Sequence, residues 1–519
     1  MNDYKKYFWL ALGVVSILTV FFRFYNLATV PPGLYPDEAM NGNNALEAIK
    51  TGKFKVFYPE NNGREGLFIN FQALLLKIFQ KREPWVLRSA SALFGSLTVI
   101  GIFFLILEIL KIDSREKNKS FLLLPFLSSF LVAISFWHIN FSRIGFRAIM
   151  APAFLVWSIY FLIKSFNKEK EVREGIINPF LLAGLAGFLY GLGMHSYIAY
   201  RVTPLLIIFI YFLYWKFNPE SISKKRIFLN FLTFAIFALI SFAPLGIYFL
   251  KNPADFFGRT GQLSIFSSPT PLKDLIENIL KTLAMFHFKG DANWRHNYSG
   301  SPQLFWLTGL FFILGILKGI ALIVNKKTNE VTKDNQKNNL KFIFLLSLIW
   351  LILAFLPVVI SNEGIPHALR SILMIPPVFI ISGIGGFYFF EFIYRKTNKK
   401  ITYLVGIILM LAMILQSFIF YFILWAKNPN VADAFSVRYL EIGRQINEIS
   451  EKVKKYVVVN ASGIEVRGIP MPAQTITFIT DSFSFEDQEK KQIFYISPEK
   501  EKEVDENNSL IFYLEEKRD

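Results

Sequence analysis

Apolar blocks of about 20 residues recur along this sequence as far as residue 424, each long enough to cross a hydrocarbon layer of roughly 30 Å. The chain of 519 residues is 53% hydrophobic and holds 57 Phe, an excess over any soluble core of this size that makes lipid the solvent for most of the fold. The predicted spans are 7–22, 85–110, 121–139, 149–166, 179–195, 202–217, 227–250, 302–324, 342–360, 372–393 and 401–424, eleven in all. The first follows Lys5 and Lys6, lacks a small-residue cleavage site and leads into Arg23 and a proline-rich turn, so it reads as an uncleaved span and not a signal peptide.

Charge sets the orientation. With every span counted, Lys5 and Lys6 and the basic loops 111–119, 164–173, 216–226, 326–341 and 395–400 share one side, which the positive-inside rule makes the cytoplasm. The other side, the outer face of what reads as a bacterial plasma membrane, receives the loop after the first span and the turns 142–147 and 197–201. It also receives the loops 251–301 and 361–370 and the C-terminal segment. The net charge of +17 does not point to nucleic acid: residues 425–519 carry 13 Lys and Arg against 17 Asp and Glu, a balance of −4 that leaves +21 on the membrane part. That surplus is spread over alternate loops, with no basic tail or stripe. The absence of Cys removes disulfides, thiolate nucleophiles and thiolate metal sites.

Two domains are expected, a transmembrane catalytic part over 1–424 and a small extracytoplasmic α/β part over 425–519. In the second, an amphipathic helix over 431–449 precedes four short apolar runs, 456–459, 475–479, 493–496 and 510–514, which read as buried strands. In the first outer loop, 37–50 is helix-like, and 66–79 is too short for a span but suits an interfacial helix. Loop 326–341 reads as flexible, and no internal repeat is evident.

The outer loops differ in kind from the Lys-rich inner ones. They carry YPDEAMNG, NNGREGLF, SRIGFRA, GMHSYIAYR, FFGRTGQ, GDANWRHNYSG and NEGIPHALRS, and four of the five His (His195, His287, His296, His367) fall in or beside them. Ionisable groups near membrane depth are costly, so this gathering on one face marks a site. Asp37 and Glu38 follow three prolines at a helix start; Asp there also suits a cap favoured by the helix dipole. If they are functional, neighbouring helical positions point about 100° apart, so one carboxylate faces substrate while the other braces the loop. Arg64, Glu65, Arg143, Arg147, His195, Tyr197, Arg201, Arg259, Arg295, His296, His367 and Arg370 are candidate substrate-binding residues, with Arg143 and Arg147 spaced to share a helical face. Each alone also suits a headgroup anchor or a snorkelling side chain; several Arg on the outer side favour phosphate binding.

The succession of the D-E pair, REG-L-F, S-R-x-G-F-R, G-L-G-M-H-S-Y-I-A-Y-R, G-D-x-N-x-R-H-N and P-H-A-L-R resembles the GT-C superfamily of membrane glycosyltransferases. Its nearest branch is the bacterial relatives of protein O-mannosyltransferases and lipid A aminoarabinose transferases, and the resemblance covers about residues 7–424. It implies an all-α polytopic fold, Asp37 as catalytic base with Glu38 beside it, and Arg295, His296, His367 and Arg370 as ligands of a lipid-linked phosphate. The implied partners are a polyprenyl-phosphate sugar donor, a lipid, glycan or protein acceptor, and membrane lipids. The chain lacks the large inserted sugar-binding domain of the eukaryotic protein mannosyltransferases, which puts a protein acceptor in question. The implied reaction inverts the anomeric carbon and requires no metal, a divalent cation being compatible with it. Asp37 and the four basic residues are expected around one outer cavity. A transporter or flippase, the rival reading, would instead show pseudo-symmetric repeats and charge at the membrane midplane.

Overall fold

The computed structural model describes residues 3–110, 122–170, 178–217, 223–262, 264–324, 335–362, 364–505 and 508–515. The predicted inner loop 111–119 and parts of 164–173, 216–226 and 326–341 lie outside those residues. Among the described residues, nine helices are long and apolar enough to cross a membrane, the longest being Lys224–Lys251. The chain is thus an integral multi-pass membrane protein. Two expected spans take a different form. Residues 121–139 are divided into Leu123–Ala133 and Phe136–Phe141 by Ser135 in extended conformation, and 179–195 becomes the shorter helix Pro179–Gly193.

The chain divides into two compact units. One comprises Met1–Tyr25, Ala92–Ser142 and Arg147–Tyr421; the other comprises Asn26–Ser91, Arg143–Phe146 and Phe422–Asp519. In the first, lipid gives helices no hydrophobic reason to associate, so close backbone packing must do it. Gly187 and Gly191, four apart, meet Lys224–Lys251 so closely that an added Cβ would strike the carbonyls of Phe234 and Ala238. Large apolar side chains such as Ile17, Leu181 and Leu239 remain exposed along the helices, as lipid-facing positions should.

The second unit joins the segment after the first span to the C-terminal segment. Pro36–Thr51 and Gly66–Phe79 form as the sequence predicts, and Leu34, Ala39, Ala45, Ile69, Ala73 and Leu76 share a core with Leu440, Phe478 and Ile479. A three-stranded parallel sheet places Lys454–Asn460 between Ile493–Ile496 and Ser509–Glu515. The fourth predicted strand, 475–479, is instead within a helix, Gln474–Thr480. A run of five apolar and β-branched residues cannot separate the two states by period. In the helix the threonine hydroxyls are satisfied by bonding back along it, Thr477 Oγ1 to the Gln474 carbonyl at 2.9 Å and Thr480 Oγ1 to that of Ile476 at 2.8 Å. The amphipathic helix over 431–449 is two helices, Pro429–Ala434 and Val437–Glu448, parted by Ser436 at φ 52°.

Candidate functional site

The first candidate group is built on the N-terminus of Pro36–Thr51. Tyr35 is the N-cap and Pro36 the first helical residue, so Asp37 stands in the first turn, where the helix dipole favours its charge, and not at the cap. Asp37 is partly exposed; its Oδ1 accepts a hydrogen bond from Asn61 Nδ2 at 2.6 Å, and Oδ2 has no hydrogen-bond donor among the described residues. Glu38 is in the opposite situation. It is fully buried, its Oε2 accepts from Arg88 Nε at 2.9 Å and from the Gly145 N–H at 2.9 Å, and its Oε1 accepts from Arg88 Nη2 at 3.1 Å. Arg88 also donates to the carbonyls of Pro31 at 2.6 Å and Gly33 at 2.9 Å. The Glu38–Arg88 fork therefore fixes the proline-rich entry to the helix. Gly33 lies at φ 63°, and an added Cβ would strike the Phe435 carbonyl, so glycine is required there.

Other predicted residues surround this helix. Arg64, buried, donates to Asn41 Oδ1 at 2.7 Å and Asn44 Oδ1 at 2.5 Å. Glu65 is buried at the N-cap of Gly66–Phe79. Arg143 is buried, donates to the Val30 carbonyl at 2.7 Å and lies 5.0 Å from the Phe422 ring centre. It shares no helical face with Arg147, because the residues after Ser142 form an open turn and Arg147 begins a separate 3₁₀ turn in the other unit.

The second group lies in the other unit. The segment Gly290–Gly300 closes on itself through Gly290 N–H to the Gly300 carbonyl at 3.1 Å and Gly300 N–H to the Asp291 carbonyl at 2.9 Å. Asp291 Oδ1 accepts from Asn293 N–H at 2.8 Å, and its Oδ2 accepts from the Ala368 N–H at 2.9 Å and His296 Nδ1 at 3.0 Å. One buried carboxylate thus ties the end of the long loop to the loop before Ile375–Lys396. His367 Nδ1 is 3.9 Å from the same Oδ2, and the two imidazole rings lie 4.8 Å apart. Arg295 is held against Asn293, and Arg370 Nη1 bonds Ser361 Oγ.

Electrostatics in this group follow from burial. Burial and the neighbouring His296 and Arg370 hold the His367 imidazole well below its ordinary range. For His296, burial together with Arg295 and Arg370 outweighs the opposing pull of Asp291 and lowers it too. Burial pushes the Asp291 carboxyl up, but the His296 hydrogen bond, both imidazoles and the Asn293 N–H hold it below its usual value. Near neutral pH the centre is a carboxylate between two neutral imidazoles.

Of the expected phosphate ligands, Arg295, His296, His367 and Arg370 thus gather in one unit, and Asp37 belongs to the other. His195 is set apart, its Nε2 3.0 Å from the Ser241 carbonyl. Tyr197 caps a short turn, and Arg201 donates to the Phe256 carbonyl at 2.9 Å and stacks on the Phe256 ring at 4.0 Å. The Arg259 side chain lies outside the described residues. Sequence reasoning missed Asp291 and Arg88. The first was visible as an Asp five positions before His296 in a Gly-bounded loop, whereas Arg88 had no signal on an otherwise apolar helix.

No protein-family model matches the chain, and no curated protein matches its sequence. Solved structures do match. The archaeal oligosaccharyltransferase AglB from Archaeoglobus fulgidus, in complex with an inhibitory peptide and a dolichol-phosphate, superposes over 92% of this chain and 64% of its own at 14% identity, with TM-score 0.52. ArnT from Cupriavidus metallidurans, bound to undecaprenyl phosphate, superposes over 91% of this chain and 84% of its own at 11% identity, with TM-score 0.50. The chain thus spans less than two thirds of the archaeal enzyme's length. Identities this low establish architecture alone: the chain shares the fold of these two enzymes.

Proposed function

We propose that the chain is an inverting glycosyltransferase that moves a sugar from a polyprenyl-phosphate donor to an acceptor hydroxyl at the outer face of a bacterial plasma membrane. The observation that carries this reading is the gathering of Arg295, His296, His367 and Arg370 around Asp291 on two loops next to apolar spans. Arginine forks and imidazole N–H groups suit the phosphate of a donor whose isoprenoid tail lies in lipid. The bound dolichol-phosphate of AglB and undecaprenyl phosphate of ArnT support a donor of that class.

In this reading Asp37 is the base. Its Oδ2 takes the proton of the acceptor hydroxyl, the freed oxygen attacks C1, and the C1–O bond to phosphate breaks with its electron pair leaving on the polyprenyl phosphate. Charge that develops on a leaving phosphate calls for cationic donors of the kind Arg295 and Arg370 offer. Attack from the face opposite the leaving group inverts C1. Purified protein in lipid, incubated with a panel of polyprenyl-phosphate sugars, should release free polyprenyl phosphate from one of them in an acceptor-dependent way. No release from any donor in the presence of membrane extract as acceptor source would overturn the reading.

A further inference from the structure

We propose that Asp291, His296 and His367 form a binding site for one divalent transition-metal ion of the zinc class. The three side chains each offer a ligand atom, all within 4.8 Å of one another. Two of those atoms, the Nδ1 of each imidazole, face the same carboxylate oxygen, at 3.0 Å from His296 and 3.9 Å from His367. Tetrahedral bonds of about 2.0–2.2 Å place neighbouring ligands about 3.3–3.5 Å apart, so the two Asp291 separations straddle that value, and the imidazole nitrogens, within 4.8 Å of each other, would draw together on binding.

A hydrogen-bonded Asp–His pair would account for His296 alone. It does not account for His367, whose Nδ1 is too far from Asp291 for a hydrogen bond. That nitrogen is turned towards the Arg370 N–H, 3.4 Å away, and so presents a lone pair. His367 Nδ1 is thus the unprotonated nitrogen, and an ion would draw its lone pair from that long contact. Neutral imidazoles and an ionised carboxylate are the forms that ligate. On binding, the proton of His296 moves from Nδ1 to Nε2. Two imidazoles and one carboxylate select a borderline ion such as zinc over magnesium or calcium.

Support for the ligands is already present, since Asp291 accepts the N–H groups of Asn293 and Ala368 and is thereby fixed in rotation. Three protein ligands leave a fourth position open, the pattern of catalytic and not purely structural zinc. On the proposed glycosyl-transfer reading, that position would take an oxygen of the donor phosphate.

The full chain, purified with a histidine-free affinity tag and stripped with chelator, should bind one equivalent of cobalt(II) with the intense visible absorption of a low-coordinate site. Zinc should bleach it. His367→Gln should weaken cobalt binding by at least about a hundredfold, since losing even a supporting partner of a metal ligand costs about 10–100-fold. Because Asp291 also ties two loops, His367→Gln and His296→Gln are the variants of choice, and zinc should raise the thermal midpoint of the parent but of neither variant. The absence of a cobalt spectrum in the parent, or an unchanged spectrum in His367→Gln, would overturn the site. These readouts need neither donor nor acceptor, so their failure leaves the transferase proposal standing, and failure of transfer leaves the metal site standing.

Discussion

Asp37 has one carboxylate oxygen without a donor among the described residues, whereas the carboxylate of Glu38 is held by Arg88 and the Gly145 N–H. The expected effects of two neighbouring substitutions therefore differ in kind. Asp37→Asn retains an oxygen that can accept from Asn61, so folding should be near normal while transfer falls by about 10² to 10⁴. Near-normal turnover of radiolabelled donor by this variant would remove Asp37 from the chemistry. Glu38→Gln instead leaves the buried Arg88 guanidinium without its counter-charge, at a cost of about 3–5 kcal/mol. Its signature should be a lower unfolding midpoint in detergent, partly restored by replacing Arg88 as well. The sequence carried the idea that the two carboxylates must diverge, because helical geometry demands it. It could not carry the identity of the brace, which is 50 positions away on another helix.

Elements show the same limit. Pro36–Thr51 and Gly66–Phe79 were legible because prolines, glycines and helical periodicity marked their ends and faces. Gln474–Thr480 was not, because its burial on all sides erased any period, and its packing partners lie in the first loop. Asn43 Nδ2 reaches Thr477 Oγ1 at 2.7 Å and Gln474 Oε1 at 2.9 Å from the helix that carries Asp37. Nearby, Arg467 bridges Glu47 at 3.0 Å and Glu60 at 2.8 Å. Burial pushes the Glu60 carboxyl up, but Asn44 and Arg467 outweigh it and hold it below its ordinary value. The folded state then binds fewer protons than the unfolded one around that value. The stability Glu60 contributes is present above about pH 4.3 and is lost as pH falls through the lower folded value. Arg467→Ala should cost no more than about 1 kcal/mol at neutral pH, since the groups are partly solvated, and should flatten this acid limb in a pH series of thermal scans.

At the scale of the molecule, apolar periodicity marks nine of the eleven expected spans as long apolar helices among the described residues. What it could not give was the pairing of residues 26–91 with 422–515, because no polarity pattern records which distant surfaces meet. The orientation proposed from loop charge has a direct check. Reporter domains fused after residue 424 and after residue 166 should fall on opposite sides of the membrane. If both report the same side, the outer-face assignment fails.

The union of an early loop with the C-terminal segment in one unit has a consequence for biosynthesis. The helix bearing Asp37 leaves the ribosome early, yet its core companions Leu440, Phe478 and Ile479 emerge only after nearly the whole membrane part has been made. At about 5–20 residues per second, roughly 330 intervening residues impose a delay of roughly 20–70 s. During that interval the nascent loop must stand at the membrane surface with its apolar face uncovered, open to proteases and to holding chaperones. Chains released before residue 440 should therefore be inserted, catalytically silent and rapidly cleared.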